Sequence, residues 1–173
     1  MGVDWEELER VISDLVVAFV RKVRAEHPGE RLYAAAISEF YAESGGRILS
    51  PMISVASEEW LASKARTVDE TEARRWDAAD WPWHFDPTES GNVWVGEVEE
   101  QATADNGQNW DRIYDHYLRT VAYACARARE TLVADESVHP DFLVVPLDEE
   151  FALVPLALSP SQIATHFEFL LSS

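Results

Sequence analysis

The sequence predicts an α+β fold in which helices pack on a mostly antiparallel sheet of about four strands. Three observations predict it. Stretches with helical apolar periodicity stand at the start, in the middle and at the end of the chain. Between them lie two pairs of short apolar runs, each pair joined by a turn-forming segment. Hairpins separated by helices belong to segregated α and β layers rather than to alternating parallel units.

The first helix is expected from residue 5 onward. Val3, Asp4, Glu7 and Leu8 fit a capping box with a hydrophobic staple. Leu8, Val11, Ile12, Leu15, Val16, Phe19 and Val23 then recur at helical spacing, Arg21, Lys22 and Arg24 suit the C-terminal dipole, and His27-Pro28-Gly29 ends the helix. Residues 32–37, apolar on both faces, read as a strand covered on both sides. Residues 43–47, with Gly45 and Gly46, read as a hairpin turn, and 48–55 as the return strand. Pro51 removes a ladder donor, which places that strand at an edge or beside a bulge. Ser57 is expected to cap a short helix through Lys64 with Trp60 and Leu61 inward. A charged connector, 66–74, leads to an aromatic loop.

Residues 92–103 carry both patterns, Val93 and Val95 alternating like a strand while Trp94, Val98 and Ala102 share a helical face; the glutamates favour helix. After a turn at 105–107, Asn109 can cap a long helix over 110–132 that buries Ile113, Tyr114, Tyr117, Val121, Ala124, Cys125 and Ala128. Residues 142–147 and 151–158 read as a second hairpin joined by Asp148-Glu149-Glu150, with Pro146 and Pro155 limiting its pairing. Ser159-Pro160-Ser161-Gln162 is a capping box, and Ile163, His166, Phe167 and Leu170 ride the last helix.

The 173 residues are expected to form a single domain, 1–173. The composition is 47% hydrophobic, enough for an ordinary core. No apolar run is long enough to span a bilayer, and the first residues do not form a signal-peptide pattern. One cysteine, Cys125, excludes an internal disulfide framework, and the expected location is the cytoplasm. The formal charge of −18 argues against binding nucleic acid or anionic membranes and permits a basic protein partner drawn in at long range. After Arg129 there is no further Lys or Arg, whereas Asp135, Glu136, Asp141, Asp148, Glu149, Glu150 and Glu168 follow.

The chain is organised around residues 75–86, Arg-Trp-Asp-Ala-Ala-Asp-Trp-Pro-Trp-His-Phe-Asp. Together with Leu32-Tyr33-Ala34-Ala35-Ala36, this motif resembles a bacterial domain-of-unknown-function family of small acidic proteins. Members of that family combine a Tyr-Ala strand with an Arg-Trp-x-x-x-x-Trp motif. The resemblance runs from about Trp5 to the long helix at 110–132. It implies an α+β fold and no known enzymatic activity. Some relatives look like immunity proteins of bacterial toxin systems, and the family supplies no catalytic residues.

Within the motif, Arg75, Trp76 and Trp81, with Tyr33, are expected to lock the loop onto the sheet, Arg75 stacking on a ring or pairing with an acid. Trp83 and His84, beyond Pro82 and rimmed by Asp77, Asp80, Asp86 and Glu89, are the candidates for a partner-binding patch, since tryptophan is enriched at binding hot spots. The five histidines, His27, His84, His116, His139 and His166, show no metal-ligand spacing. Asp111 and Asp115 read as a solvated face with Arg112. Cys125, among alanines, reads as a small core residue rather than a nucleophile, and Glu97, Glu99 and Glu100 as a solvated face rather than an acid–base pair. No catalytic residue, metal site or cofactor is expected. The leading expectation is a non-enzymatic protein-binding module, such as an immunity protein neutralising a basic toxin domain. The alternatives are a small-molecule-binding or hydrolase-like domain with a pocket at the tryptophan loop, and a structural subunit of a homo-oligomer. The sequence leaves the oligomeric state open.

Overall fold

The apolar stripe of the first helix sets one side of the architecture. In the computed structural model, which describes residues 2–89, 91 and 94–172, α1 spans Trp5–Glu26. Asp4 caps it by accepting from the Glu7 amide at 3.1 Å. The reciprocal half of the box does not form, because the Glu7 carboxylate turns outward to pair with Arg10. Leu8, Ile12, Val16, Val20 and Val23 are buried.

A four-stranded sheet lies beneath α1, in the order β3-β2-β1-β4, with β1 at Leu32–Ser38, β2 at Met52–Ser57, β3 at Trp83–Phe85 and β4 at Leu143–Leu147. Every residue of β1 is buried, as its two-sided apolar pattern requires. Two of the expected features are corrected. β2 is interior rather than an edge strand; Pro51 stands just before its first residue, where no ladder donor is lost. The second hairpin does not exist: β4 pairs parallel to β1, and the edge beyond β2 is filled by β3. The sheet is therefore mixed, within the expected α+β class.

Residues 151–158 are not a strand. Val154–Ala157 is a short helix, α6 in chain order. Asp148 nucleates this turn, its carboxylate accepting from the amides of Ala152 and Leu153 at 3.0 Å each. Phe151 sits at φ 56°, which extended chain cannot follow. The expected charged connector is also partly helical. After α2 (Glu58–Lys64, capped by Ser57), α3 runs Val68–Arg75 from a Thr67 cap. It buries no residue, so apolar periodicity could not reveal it.

Residues 92–103 favour helix as expected: α4 spans Trp94–Thr103, while Asn92 and Val93 lie outside the described residues. The long helix α5, Trp110–Ala134, follows; Asn109 stands at its cap position without a side-chain capping bond. The last helix, α7 (Pro160–His166), carries the complete capping box and ends before Phe167, after which a 3-10 turn continues.

The sheet separates two cores. On one face, α1, α4 and α5 cover Ala35, Ile37, Ile53, Val55 and Val144. On the other, Leu61, Trp81, Val154, Ile163 and Phe167 cover Ala34, Ala36, Ala56, Leu143 and Val145. Alternation along the strands divides the apolar set between the two. Arg129 of α5 pins the entry to β4 by donating to the carbonyls of Phe142 and Pro140 at 2.8 and 2.7 Å. Near the other end of the molecule, Gly107 at φ 75° lets the α4–α5 corner approach the Gly45 backbone, and the Trp110 indole donates to the Gly46 carbonyl at 2.9 Å. Glu99 holds the same turn, accepting from the Ile48 amide at 2.8 Å; it is a structural brace, while Glu97 and Glu100 are exposed.

Candidate functional site at the arginine–tryptophan motif

Three local devices position the motif. α3 delivers Arg75 at its last turn, Trp76 ends that helix, and a 3-10 turn at Ala78–Asp80 drops Trp81 onto the sheet. Trp81 is 2% exposed and meets Tyr33 edge-on at 5.8 Å. Trp76 is half-buried, tilted over Phe167 at 4.7 Å and edge-on to Tyr33 at 6.1 Å. These aromatics form one interlocked group on the second face of the sheet.

Arg75 is held three ways. Its guanidinium lies over the Tyr33 ring at 4.8 Å, its two terminal nitrogens donate to the Glu58 carboxylate at 3.1 and 3.2 Å, and its carbonyl accepts from the Tyr33 hydroxyl at 2.9 Å. Burial pushes the Tyr33 phenol above its ordinary range, opposed in part by the Arg75 cation, so the hydroxyl stays protonated and donates. Tyr33→Phe removes this one bond from a largely buried pair. The expected loss is about 1 kcal/mol in urea unfolding, with the fold retained; an unchanged midpoint would show that the bond contributes nothing.

Beside Arg75 opens a cleft of about 480 Å³. Arg31, Arg75, His139, Asp141 and His166 present polar groups to it, above walls of Trp76 and Phe142. His139 stands 3.3 Å from Asp141, and Arg31 stands 3.8 Å from the same carboxylate. Burial and then the Arg75 cation hold the His166 imidazole below its ordinary 6.5. As pH falls through 6.5, the unfolded chain therefore takes up this proton before the folded one does, and stability is lost on that side. His166→Gln is expected to flatten the stability-versus-pH slope between about pH 7 and about pH 5, read from urea midpoints. An unaltered slope would exclude His166 as the group responsible.

The residues expected to form a partner-binding patch do not come together. Trp83 turns to the opposite face of the sheet, half-buried, with its ring 4.6 Å from that of His27. His84 is exposed on β3, its Nδ1 2.8 Å from the buried Ser54 hydroxyl. Asp80 is exposed and 3.6 Å from Arg74. Asp86 is occupied in a turn, accepting from the amide and hydroxyl of Thr88 at 2.8 and 2.6 Å. Glu89 is exposed and closes that turn, its amide donating to the Asp86 carbonyl at 3.2 Å, and Asp77 is exposed beside Trp76. No tryptophan of the chain is fully exposed: Trp81, Trp94 and Trp110 are buried and the other four half-buried.

A family described as Domain of unknown function (DUF4303) matches residues 12–145. The chain belongs to that family. The matched span takes in the Tyr33 strand, the whole arginine–tryptophan motif and β4, so the DUF4303 region contains most of the cleft. The cleft's remaining wall, Thr165 and His166, lies outside the matched span. No curated protein and no solved structure matches the chain.

Sequence reasoning missed several cleft residues. Arg31, Asp141 and Thr165 come from three distant segments, and no spacing links them. His139 and His166, far apart in the chain, share this cleft, whereas His116 stacks on Trp5 at 4.0 Å. Asp111, Arg112 and Asp115 are all exposed, and Asp115 pairs with Arg119 at 2.9 Å. Cys125 is wholly buried, which pushes its thiol far up and keeps it from acting as a thiolate. Among the described residues no cluster of His, Cys, Asp and Glu could hold a metal ion, and no helix is long and apolar enough to cross a membrane.

Proposed function

We propose that this DUF4303 chain is a cytoplasmic protein-binding module whose partner is a basic protein, and that neutralising such a partner, as an immunity protein does, is its role. The observation that carries the reading is the charge. With 32 acidic side chains against 14 Lys and Arg, a net −18 is left that internal ion pairs cannot remove. A field of that sign attracts a cationic partner from a distance and repels acidic ones. The surface relief supports it. A groove between the start of α1 and α4 carries Asp4, Glu7 and Glu97 over Leu8, Val11 and Trp94, and its lining includes no Lys or Arg. Immobilised protein exposed to an extract of the native host at low salt is expected to retain a basic protein that salt elutes. Growth rescue on co-expression with a neighbouring toxin gene would support the immunity role. Retention of an acidic partner, resistant to salt, would contradict the reading.

The Arg75 cleft favours a second reading, a small-molecule-binding or hydrolase-like site. Its volume falls in the range of ligand pockets, and its polar groups converge. Fragment screening by thermal shift tests it: a stabilising ligand whose effect disappears in Arg31→Ala would favour this reading over the first.

A further inference from the structure

Trp76 has a second cavity on its other side, and its chemistry differs from that of the Arg75 cleft. It lies beyond the C-terminal ends of the parallel strands β1 and β4, where Ser38 pairs with Leu147, and encloses about 280 Å³. Ligands in open sheets commonly bind outside the carboxyl ends of strands. The polar wall consists of four carboxylates, Glu39, Asp77, Asp148 and Glu149, and the lining includes no Lys, Arg or His. The rest is largely aromatic: Phe40, Tyr41, Trp76 and Phe151. Tyr41 is 54% exposed, so its ring is open to an incoming group.

A second observation, independent of the acids, points the same way. Ser38 lines this cavity, is only 7% exposed, and its hydroxyl has no hydrogen-bond partner. It sits on the sheet face that carries Ala34, Ala36, Trp76 and Trp81. Buried hydroxyls normally find partners, and this one has none while its residue forms part of a cavity wall.

We infer that this cavity receives an arginine side chain of the basic partner, its guanidinium lying against the Trp76 and Phe151 rings and donating to the surrounding carboxylates and to Ser38. Arginine is the occupant the walls select. Its planar cation stacks on aromatic faces and bonds carboxylates with a fork of donors, whereas a lysine ammonium does only the second well. The space suits one side chain rather than a whole drug-sized molecule. The Asp148 carboxylate is already shared with two backbone amides, which leaves Glu39, Asp77 and Glu149 as the free acids. The inference rests on the proposed capture of a basic protein, and names the site where it is anchored.

The test uses the full chain, labelled for NMR, and a capped Gly-Arg-Gly peptide, with the citrulline and lysine peptides and tetramethylammonium as comparisons. The arginine peptide is expected to shift the Trp76 indole and the Ser38 and Glu39 amides and to bind most tightly of the four. Asp77→Asn and Glu149→Gln, both at exposed positions, are each expected to weaken it about tenfold. Equal binding of the citrulline peptide, shifts elsewhere only, or no shift overturns the inference, as does tetramethylammonium binding as tightly as the arginine peptide, which would make the occupant a free cation. A captured partner whose affinity depends steeply on salt but is untouched in Asp77→Asn/Glu149→Gln would sink this site and leave the broader reading standing.

Discussion

Trp81→Ala is expected to destabilise the chain by about 3–5 kcal/mol. A domain of this kind has roughly 5–15 kcal/mol in all, so the variant should stand close to unfolding at growth temperature. Trp81 is 2% exposed, and its ring lies 5.8 Å from that of Tyr33 and 6.4 Å from that of Trp76. Its indole nitrogen has no hydrogen-bond partner, so the loss is one of packing, and Trp81→Phe should recover much of it. At roughly 2–4 °C per kcal/mol for a chain of this size, the melting temperature should fall by about 6–20 °C. Trp83→Ala is the matched control. Trp83 is half-buried at the sheet edge, so its truncation should cost clearly less. Equal losses would mean that the motif is not anchored through Trp81.

Phe167→Ala is expected to cost a similar amount, about 3–5 kcal/mol, although it lies beyond the span matched by the family. The ring is wholly buried, 4.7 Å from Trp76 and 6.1 Å from Phe151. It therefore packs against Trp76 within the core layer that Trp81 also fills. It also follows His166, so its loss should loosen the wall of the Arg75 cleft. Both Phe167 and Trp81 touch Trp76, and the double variant should depart from additivity by roughly 0.5–3 kcal/mol. Strict additivity, measured by urea unfolding, would show that Trp76 does not couple the two.

What the sequence disclosed follows from where its signals are local. α1 was legible because a cap, a staple and a sustained apolar stripe agree; β1 was legible because seven successive buried residues need cover on both sides. α3 was not, since it buries nothing and is held by its Thr67 cap and its charges. Residues 151–158 misled because a short apolar run fits strand and helix equally. What decided the matter was the Asp148 carboxylate closing a turn over Ala152 and Leu153, a contact that apolar patterning does not encode. β3 was hidden by its length of three residues and by Pro82 before it. Of the motif, the setting of Arg75 was readable to the level of a stacked ring and an acidic partner; that the ring is Tyr33 and the acid Glu58 was not, because both are distant in sequence. The two cavities flanking Trp76 were invisible for the same reason. Each is assembled from segments of β1, the motif and the region following α5, and only the parallel pairing of β4 with β1 brings those together.

If negative charge draws in a basic partner, as proposed, stopped-flow measurement of the association rate with the captured protein across ionic strength shows it. The rate is predicted to fall at least about tenfold from low to physiological salt while dissociation changes little. An association rate independent of salt would contradict the claim.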